Sequence, residues 1–247
     1  MTKKTWIVFV VICIAILGGL VWMSKSKQVN VDAIDILAIQ GASEQNGNIA
    51  DHVFGNKDAK VRIIEYGDFQ CPGCGSAYPI LKAVSEKYKD DVAFIFRNFP
   101  LPIHGNARAA AAAAEAAGLQ GKYWEMHDKL YSAQNEWSEL SGSMRLDIFA
   151  GYAETLGVDR AKFLTDIEDG QLEKKINFDK ALGAKAGVTG TPSIFVNGKA
   201  ADQSVKDDKL VAGNNTDPLV WSDQALFEKH ILIPALKEAG VSTDKYE

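Results

Sequence analysis

The sequence predicts an α/β fold preceded by one transmembrane helix, and three observations indicate it. Short apolar, β-rich runs occur at Val61–Tyr66, Val92–Phe96 and Ser193–Val196, and a long block with helical patterning separates the second run from the third. Hydrophobic residues make up 47% and charged residues 24% of the chain, as in an ordinary globular protein with its own core. An uncharged apolar run near the amino terminus supplies the membrane helix.

The amino-terminal segment has the layout of a signal anchor. Residues 1–5 are short and basic, and Trp6–Met23 contains no charged side chain. As a helix this run spans roughly 27 Å, enough to cross the hydrocarbon core of a bilayer. A cleaved signal peptide is the alternative, but no small-x-small cleavage site precedes Ser24. We therefore expect a retained single-pass anchor over residues 6–23.

The remainder divides into a linker and one folded domain. Residues 24–50 become polar toward their end and are interpreted as a linker, with a short helix at Val31–Gln40. The folded domain is expected over residues 51–247, beginning near His52.

Within the domain, each element follows from a local pattern. A helix should follow the first strand and run through about Tyr88, with Pro79 bending it. Asn197-Gly198 is a strong hairpin signal after the third strand, so a partner strand should start at Lys199. The remaining helices are expected at Ala107–Ala117, Tyr123–Ala133, Arg145–Leu156, Asp159–Glu168, Leu172–Ala186 and Gln224–Ala239.

Two of the three cysteines form a Cys71-Pro72-Gly73-Cys74 motif, whereas Cys13 lies in the apolar run. Proline is well tolerated as the first residue of a helix, so Pro72 places Cys71 at a helix start. Unpaired N–H groups and the helix dipole stabilise a thiolate there and lower its pKa. Cys71 is then the attacking thiolate, and the shielded Cys74 is the resolving thiol.

Other functions for the pair are less favoured. A structural disulfide across two residues would close a very short loop and restrain little of the unfolded chain. A zinc site needs about four ligands, and there is no second cysteine pair. The four histidines, which might complete a mixed site, lack ligand-like spacing: His52, His104, His127 and His230. We expect no metal and no cofactor. The net charge of −5 and the absence of a basic patch argue against nucleic acid.

Four features together resemble the DsbA-like thiol–disulfide oxidoreductases of the thioredoxin superfamily, over about residues 52–240. They are the cysteine motif after a strand, a proline five residues past Cys74, the Gly187–Lys199 segment, and the helical block. Within that segment, Gly190-Thr191-Pro192 before a strand and hairpin is similar to the family's cis-proline loop. The helical block, about residues 104–187, is similar to the DsbA-type insertion in a thioredoxin fold.

The resemblance implies roles for further residues. Thr191-Pro192 would be a cis peptide facing the cysteines, where the Thr191 backbone pairs with an extended substrate. Glu65, six residues before Cys71, would lie buried under Cys74 and exchange its proton. A strand residue pointing to solvent is the alternative for Glu65. Gly73 stands where strongly oxidising members have histidine, which implies a milder oxidant. His104 is expected to have no catalytic role.

These expectations combine into one function. The chain would be an enzyme anchored in the cell membrane, with its catalytic domain outside the cytoplasm. It would oxidise the thiols of exported proteins and be reoxidised by a DsbB-like or quinone-linked membrane partner. A reductase or isomerase is the alternative, although isomerases usually carry a dimerisation domain for which residues 24–50 are too short. A tethered, non-catalytic binding module is a third hypothesis, but it predicts a degraded cysteine motif.

Overall fold

The computed structural model describes residues 29–213 and 216–246, together with residues 6, 9, 10, 12–14 and 16. Most of the predicted anchor, residues 6–23, therefore lies outside the described residues. Within the described parts of the chain, no helix combines the length and apolar character that crossing a membrane requires.

A five-stranded mixed sheet forms the centre of the domain, in the order β1-β3-β2-β4-β5. The strands are β1 (Val53–Gly55), β2 (Val61–Gly67), β3 (Val92–Asn98), β4 (Ser193–Val196) and β5 (Lys199–Ala200). The β2–β3 pair is parallel, and the other pairs are antiparallel. Every residue of β3 is buried, which is typical of a central strand covered on both faces. Strand β1 was not predicted from the sequence, because three residues are too few to show alternation.

Helices cover both faces of this sheet. The first, α1 (Pro72–Lys87), connects β2 to β3, and the predicted insertion contains the helices that follow β3. Those helices are α2 (Ala107–Gly118), α3 (Tyr123–Ser132), α4 (Gln134–Trp137), α5 (Gly142–Thr155), α6 (Arg160–Asp166) and α7 (Gly170–Lys185). Asp159 and Asp169 accept backbone hydrogen bonds as amino-terminal caps of α6 and α7, which explains where both helices begin.

The segment predicted as a linker, residues 24–50, needs correction from Val31 onward. Val31 and Ile49 are buried against the domain. Between them the chain forms turns and a short 3-10 helix, Glu44–Asn46, so the helix predicted at Val31–Gln40 is wrong. The Arg97 guanidinium on β3 donates to the carbonyls of Ile36 and Ala38, at 2.6 and 2.7 Å. A buried guanidinium needs such acceptors, so the segment is held on the sheet and the folded part begins near Val31.

The carboxy-terminal part also differs from the prediction. The expected helix Gln224–Ala239 is divided into α8 (Gln224–Phe227), one π-helical turn (Glu228–Leu232) and α9 (Ile233–Glu238). Pro234 has no N–H group and clashes with the preceding turn, which explains the irregular turn before it. A small hairpin, β6 (Ser204–Lys206) and β7 (Lys209–Val211), was not predicted.

Candidate functional site

The cysteine pair lies where β2 passes into α1. Cys71 is the residue that caps α1, and Pro72 is the first residue of the helix, as the sequence predicts. Cys74 lies one turn further on. Both are free thiols; Cys71 is 8% exposed and Cys74 is fully buried. The strand therefore delivers one slightly exposed and one fully enclosed cysteine to the same edge of the sheet.

The pKa values of the two thiols shift in opposite directions. The pKa of Cys71 is lowered to about 5, first because the Cys74 thiol donates a hydrogen bond to it. The Thr191 side chain and the backbone N–H groups of Gly73 and Cys74 lower it further, while burial opposes them. Burial, followed by hydrogen bonding to Cys71 and the charge of Glu65, raises the pKa of Cys74 well above its ordinary value. At neutral pH, Cys71 is thus a thiolate and Cys74 a thiol.

The loop Gly190–Pro192 closes over Cys71 from the side of β4. Its Thr191–Pro192 peptide bond is cis. The Cys71 sulfur lies 3.4 Å from the carbonyl oxygen of Thr191, and a Cβ atom on Gly73 would lie 3.3 Å from Cδ of Pro192. Because β4 pairs antiparallel with β2, this loop and the cysteines meet at one end of the sheet. The structure therefore brings together Cys71, Gly73 and the two residues that the resemblance singles out.

Glu65 on β2 is buried, with 2% exposure. The alternative placement, with its side chain in solvent, is excluded. Its Oε1 atom has no hydrogen-bond partner among the described residues. Burial, and then the negative charge of Cys71, raises the pKa of Glu65 to about 8. The carboxyl is therefore protonated at neutral pH, and once ionised its charge contributes to the raised pKa of Cys74.

Asp68, which was not predicted from the sequence as a site residue, holds the loop between β2 and Cys71. Its carboxylate accepts hydrogen bonds from the backbone N–H groups of Gln70 and Leu101, each at 2.8 Å. It also lies 2.7 Å from Nδ1 of His104, while the Asp68 N–H group points at the Cys74 sulfur at 3.5 Å. His104 is thus bonded to the loop that carries the pair, although it does not touch either sulfur through any described contact.

The helical insertion also fixes this loop. Gln134 at the start of α4 donates to the carbonyls of Phe69 and Cys71, at 2.7 and 3.0 Å. Gln70 donates to the Ser138 carbonyl at 2.8 Å and accepts from the Asn106 N–H at 2.6 Å. No local pattern signals these contacts, because they join residues far apart in the chain. They restrict the geometry of the backbone that presents Cys71.

The structure also bears on metal binding. Among the described residues, no group of three or more His, Cys, Asp or Glu side chains is arranged to hold a metal ion. The described contacts of Cys71 and Cys74 are to protein groups.

Comparisons with known proteins agree on the fold. A family model described as thioredoxin matches residues 47–212. A thioredoxin-like oxidoreductase from Silicibacter pomeroyi is 26% identical, with a TM-score of 0.54 over 80% of this chain and 96% of that one. The thiol-disulfide oxidoreductase MdbA from Corynebacterium diphtheriae is 25% identical, with a TM-score of 0.53 over 66% and 87%. BdbD from Bacillus subtilis, at 22% identity and a TM-score of 0.57 over 82% and 98%, shares the fold.

Curated relatives match by sequence over a shorter part of their length. The Na(+)/H(+) antiporter NhaA 1 of Salinispora arenicola is 38% identical over 163 residues, which are 66% of this chain and 24% of that protein. NhaA 3 of Salinispora tropica is 39% identical over 150 residues, 22% of its length. The chain thus spans about a quarter of the curated relatives it matches, and the activity in their names belongs to those proteins.

Proposed function

The chain belongs to the thioredoxin family as a DsbA-like thiol–disulfide oxidoreductase, and on this premise we propose that it oxidises the thiols of exported proteins. The electron acceptor is the Cys71–Cys74 disulfide. The observation that carries the proposal is the asymmetry of the pair: a slightly exposed thiolate at Cys71 and a fully buried, protonated Cys74. A stabilised thiolate favours the reduced enzyme, and therefore favours passing the disulfide to the substrate.

The reaction balances in two exchange steps. A substrate thiolate attacks the Cys71 sulfur of the enzyme disulfide, the Cys71–Cys74 bond breaks, and Cys74 leaves as a thiolate. Cys74 takes a proton from the neighbouring Glu65 carboxyl, whose raised pKa keeps it protonated. A second substrate thiolate then attacks the substrate sulfur of the mixed disulfide and expels Cys71 as a thiolate. The substrate loses two electrons, which the enzyme disulfide gains.

The substrate would bind along the Thr191 loop. Its backbone lies beside the Cys71 sulfur, with the Thr191 carbonyl at 3.4 Å, so an extended segment placed there has its reacting sulfur next to Cys71. Recognition through backbone atoms suits an enzyme that acts on many unfolded or extended sequences. Thr191 and Pro192 are therefore assigned to substrate binding in this proposal.

Placement in the cell is also part of the proposal. The apolar run 6–23 would anchor the chain in the cell membrane, with the catalytic domain outside the cytoplasm. Disulfides form and persist in such oxidising compartments. A quinone-linked or DsbB-like membrane partner would reoxidise the reduced pair. An enzyme working as a reductase would instead need an electron donor, and the lowered Cys71 pKa argues against that direction.

Oxidation of a reduced substrate protein tests the proposal. The full chain, with its cysteine pair oxidised, is mixed with a reduced disulfide-containing protein, and disulfide formation is followed by thiol alkylation. We expect Cys71→Ser and Cys74→Ser each to abolish oxidation, because neither variant can form the Cys71–Cys74 disulfide that accepts the electrons. Cys13→Ser is the matched control, because that thiol lies far from the site in sequence, and it should keep full activity. Full activity in Cys71→Ser would contradict the mechanism.

A further inference from the structure

A small cavity connects the buried Glu65 carboxyl with the protein surface. Its volume is about 30 Å³, which is room for one or two water molecules on this measure. Glu65 and His127 line its buried part, and both side chains are almost fully enclosed. Lys82 and Glu86 line its outer part, with side chains 38% and 56% exposed. The cavity therefore extends from the acid beneath the cysteine pair toward solvent.

His127 on α3 is fixed in this cavity by its neighbours. Its ring packs against Phe96 and Tyr131, with centroid separations of 4.8 and 5.1 Å. Its Nδ1 atom lies 3.1 Å from Oδ1 of Asp128, whose other oxygen is bonded to Lys82. Burial opposes ionisation of Asp128, but the hydrogen bonds from His127 and Lys82 outweigh it and lower its pKa. An ionised Asp128 assigns the hydrogen to Nδ1 and leaves Nε2 as an acceptor.

Two buried polar atoms around this cavity are unsatisfied. Oε1 of Glu65 and Nε2 of His127 have no hydrogen-bond partner among the described residues. Buried polar atoms nearly always find a partner in the protein or in ordered water. A site that is polar and large enough for water, with two such atoms on its wall, is suited to bind it.

We propose that water in this cavity links the Glu65 carboxyl to Nε2 of His127, and that His127 relays protons between Glu65 and solvent. His127 is a positioning residue for this purpose, because it acts on the cysteines only through Glu65. The inference rests on the proposed function, since it supplies the proton that Cys74 takes up when the enzyme disulfide is reduced.

The proton balance of the relay follows from the exchange steps. When a dithiol reduces the enzyme disulfide, the dithiol loses two protons and Cys74 gains one from Glu65. Nε2 of His127 then takes a proton from solvent, which makes the ring an imidazolium beside the ionised Asp128, and passes that proton through the cavity water to the Glu65 carboxylate. Net release is therefore one proton for each disulfide reduced. If the relay is blocked, two protons are released first and one is taken back later.

Charged and titratable groups from several elements surround the relay. Burial is the largest cause of the lowered pKa of His127, which keeps the imidazole neutral at pH 7 and ready to accept a proton. The charges that act on His127 come from Asp128, Lys82 and His52, and Glu65 interacts with Cys71, Cys74 and Tyr131.

Stopped-flow reduction of the oxidised full chain by excess dithiothreitol at pH 7 tests the relay. Tryptophan fluorescence follows the exchange reaction, and a pH-indicator dye follows proton release. In the wild-type protein both signals should have one rate, with one proton released. The variant His127→Phe keeps an aromatic ring between Phe96 and Tyr131. In it we expect an early release of two protons, followed by the return of one proton at a rate at least about tenfold slower than the exchange reaction.

Two further variants complete the design. Ser85→Leu fills the cavity from α1 while leaving His127 in place, and it should produce the same early release of two protons. Tyr123→Phe removes a buried hydroxyl from α3, the helix that carries His127, at a position that does not line the cavity, and it should behave as wild type. Thermal unfolding identifies any variant that fails to fold. If His127→Phe does not fold, the proton release of Ser85→Leu alone tests the relay.

The outcomes separate the two proposals. Release of one proton without delay in folded His127→Phe and Ser85→Leu would overturn the relay. An equal slowing of fluorescence and proton signals would also overturn it, because that marks a merely structural effect. A wild-type disulfide that cannot oxidise substrate protein would overturn the proposed function instead, whatever the dye shows.

Discussion

Replacing Glu65 with glutamine should stabilise the folded protein at neutral pH while slowing its exchange reaction. The wild-type carboxyl must stay protonated in the folded state, because it is buried beneath the cysteine pair without a compensating cation among the described residues. In the unfolded chain it is free to ionise. Glutamine has the shape of the protonated acid and no ionisation to suppress, so its folded state carries no such cost.

The size of the effect follows from the two pKa values. The pKa of Glu65 rises from an ordinary 4.5 to about 8 on folding. In the unfolded chain, pH 7 lies about 2.5 units above the pKa of this carboxyl, and each unit corresponds to about 1.36 kcal/mol of free energy. The free energy of unfolding of the variant should therefore exceed that of wild type by up to about 3 kcal/mol at pH 7.

The sign of the pH dependence makes the prediction specific. Because the pKa of Glu65 is raised in the folded state, its contribution to wild-type stability is fully present below pH 4.5. That contribution is lost as the pH rises to about 8. The gap between variant and wild type should then widen across this window and level off above it. Urea unfolding of both proteins with the cysteine pair reduced, at several pH values in the window, measures the gap.

A matched control has the opposite sign. Glu115 is also fully buried, but its carboxylate lies 2.8 Å from Nε2 of His52 and accepts a hydrogen bond from Asn98 at 2.7 Å. Burial opposes ionisation there, but the charges of His52 and Lys175 and the hydrogen bonds to His52 and Asn98 together outweigh it and lower the Glu115 pKa. Glu115→Gln should therefore destabilise the protein at pH 7. A Glu65→Gln gap that stays constant from pH 4.5 to 8, or a loss of stability at every pH, would refute the reasoning.

Three other predictions concern the thiol, the buried charges and helix packing. Alkylation of reduced Cys71 should titrate with a midpoint near pH 5, and Cys74→Ala should move the midpoint upward by removing the main donor to the thiolate; an unchanged midpoint would refute that cause. Asp51→Asn leaves two buried cations without their shared partner and should lower the free energy of unfolding by about 3–5 kcal/mol in urea titrations. Gly183→Ala places a Cβ atom 2.6 Å from an aromatic ring and should cost about 1–3 kcal/mol, whereas Gly151→Ala, in open space, should not destabilise.

The parts of the site that sequence reasoning predicted are local ones. Cys71, Pro72 and Cys74 lie in one motif, and the apolar run before them determines a strand whose end they follow. Pro72 determines the helix start through its own geometry, so no distant contact is needed. The Thr191–Pro192 loop was found through resemblance, because nothing in its own residues places it beside a cysteine 120 positions away.

The residues that sequence reasoning missed act across long separations. Asp68 and His104 are 36 positions apart, and Gln134 and Cys71 are 63 apart. Asp, His and Gln are common in surface loops, so their presence alone does not indicate a bond to the cysteine loop. The proposed relay role of His127 could not be predicted from the sequence either, because it depends on a cavity formed by α1, α3 and the sheet.

The prediction that residues 24–50 form a linker failed for a physical reason that involves Arg97. Arg97 interrupts an apolar strand that is otherwise buried on both faces. A buried guanidinium requires several acceptors, and the residues that supply them are Asp51 and the carbonyls of Ile36 and Ala38. The composition of residues 24–50 gives no sign of this function, but the arginine in β3 shows that something must cover it.

The reduction potential of the Cys71–Cys74 pair tests the central claim, that this pair is a thiol oxidant. Thioredoxin combines a nucleophilic thiol of pKa about 7 with a potential of about −270 mV. Lowering that pKa to about 5 stabilises the reduced form by about 2 kcal/mol at pH 7, or about 50 mV. Equilibration of the full chain with glutathione should therefore give about −220 mV. A potential of about −270 mV or lower would contradict the claim and assign the pair to a reductase.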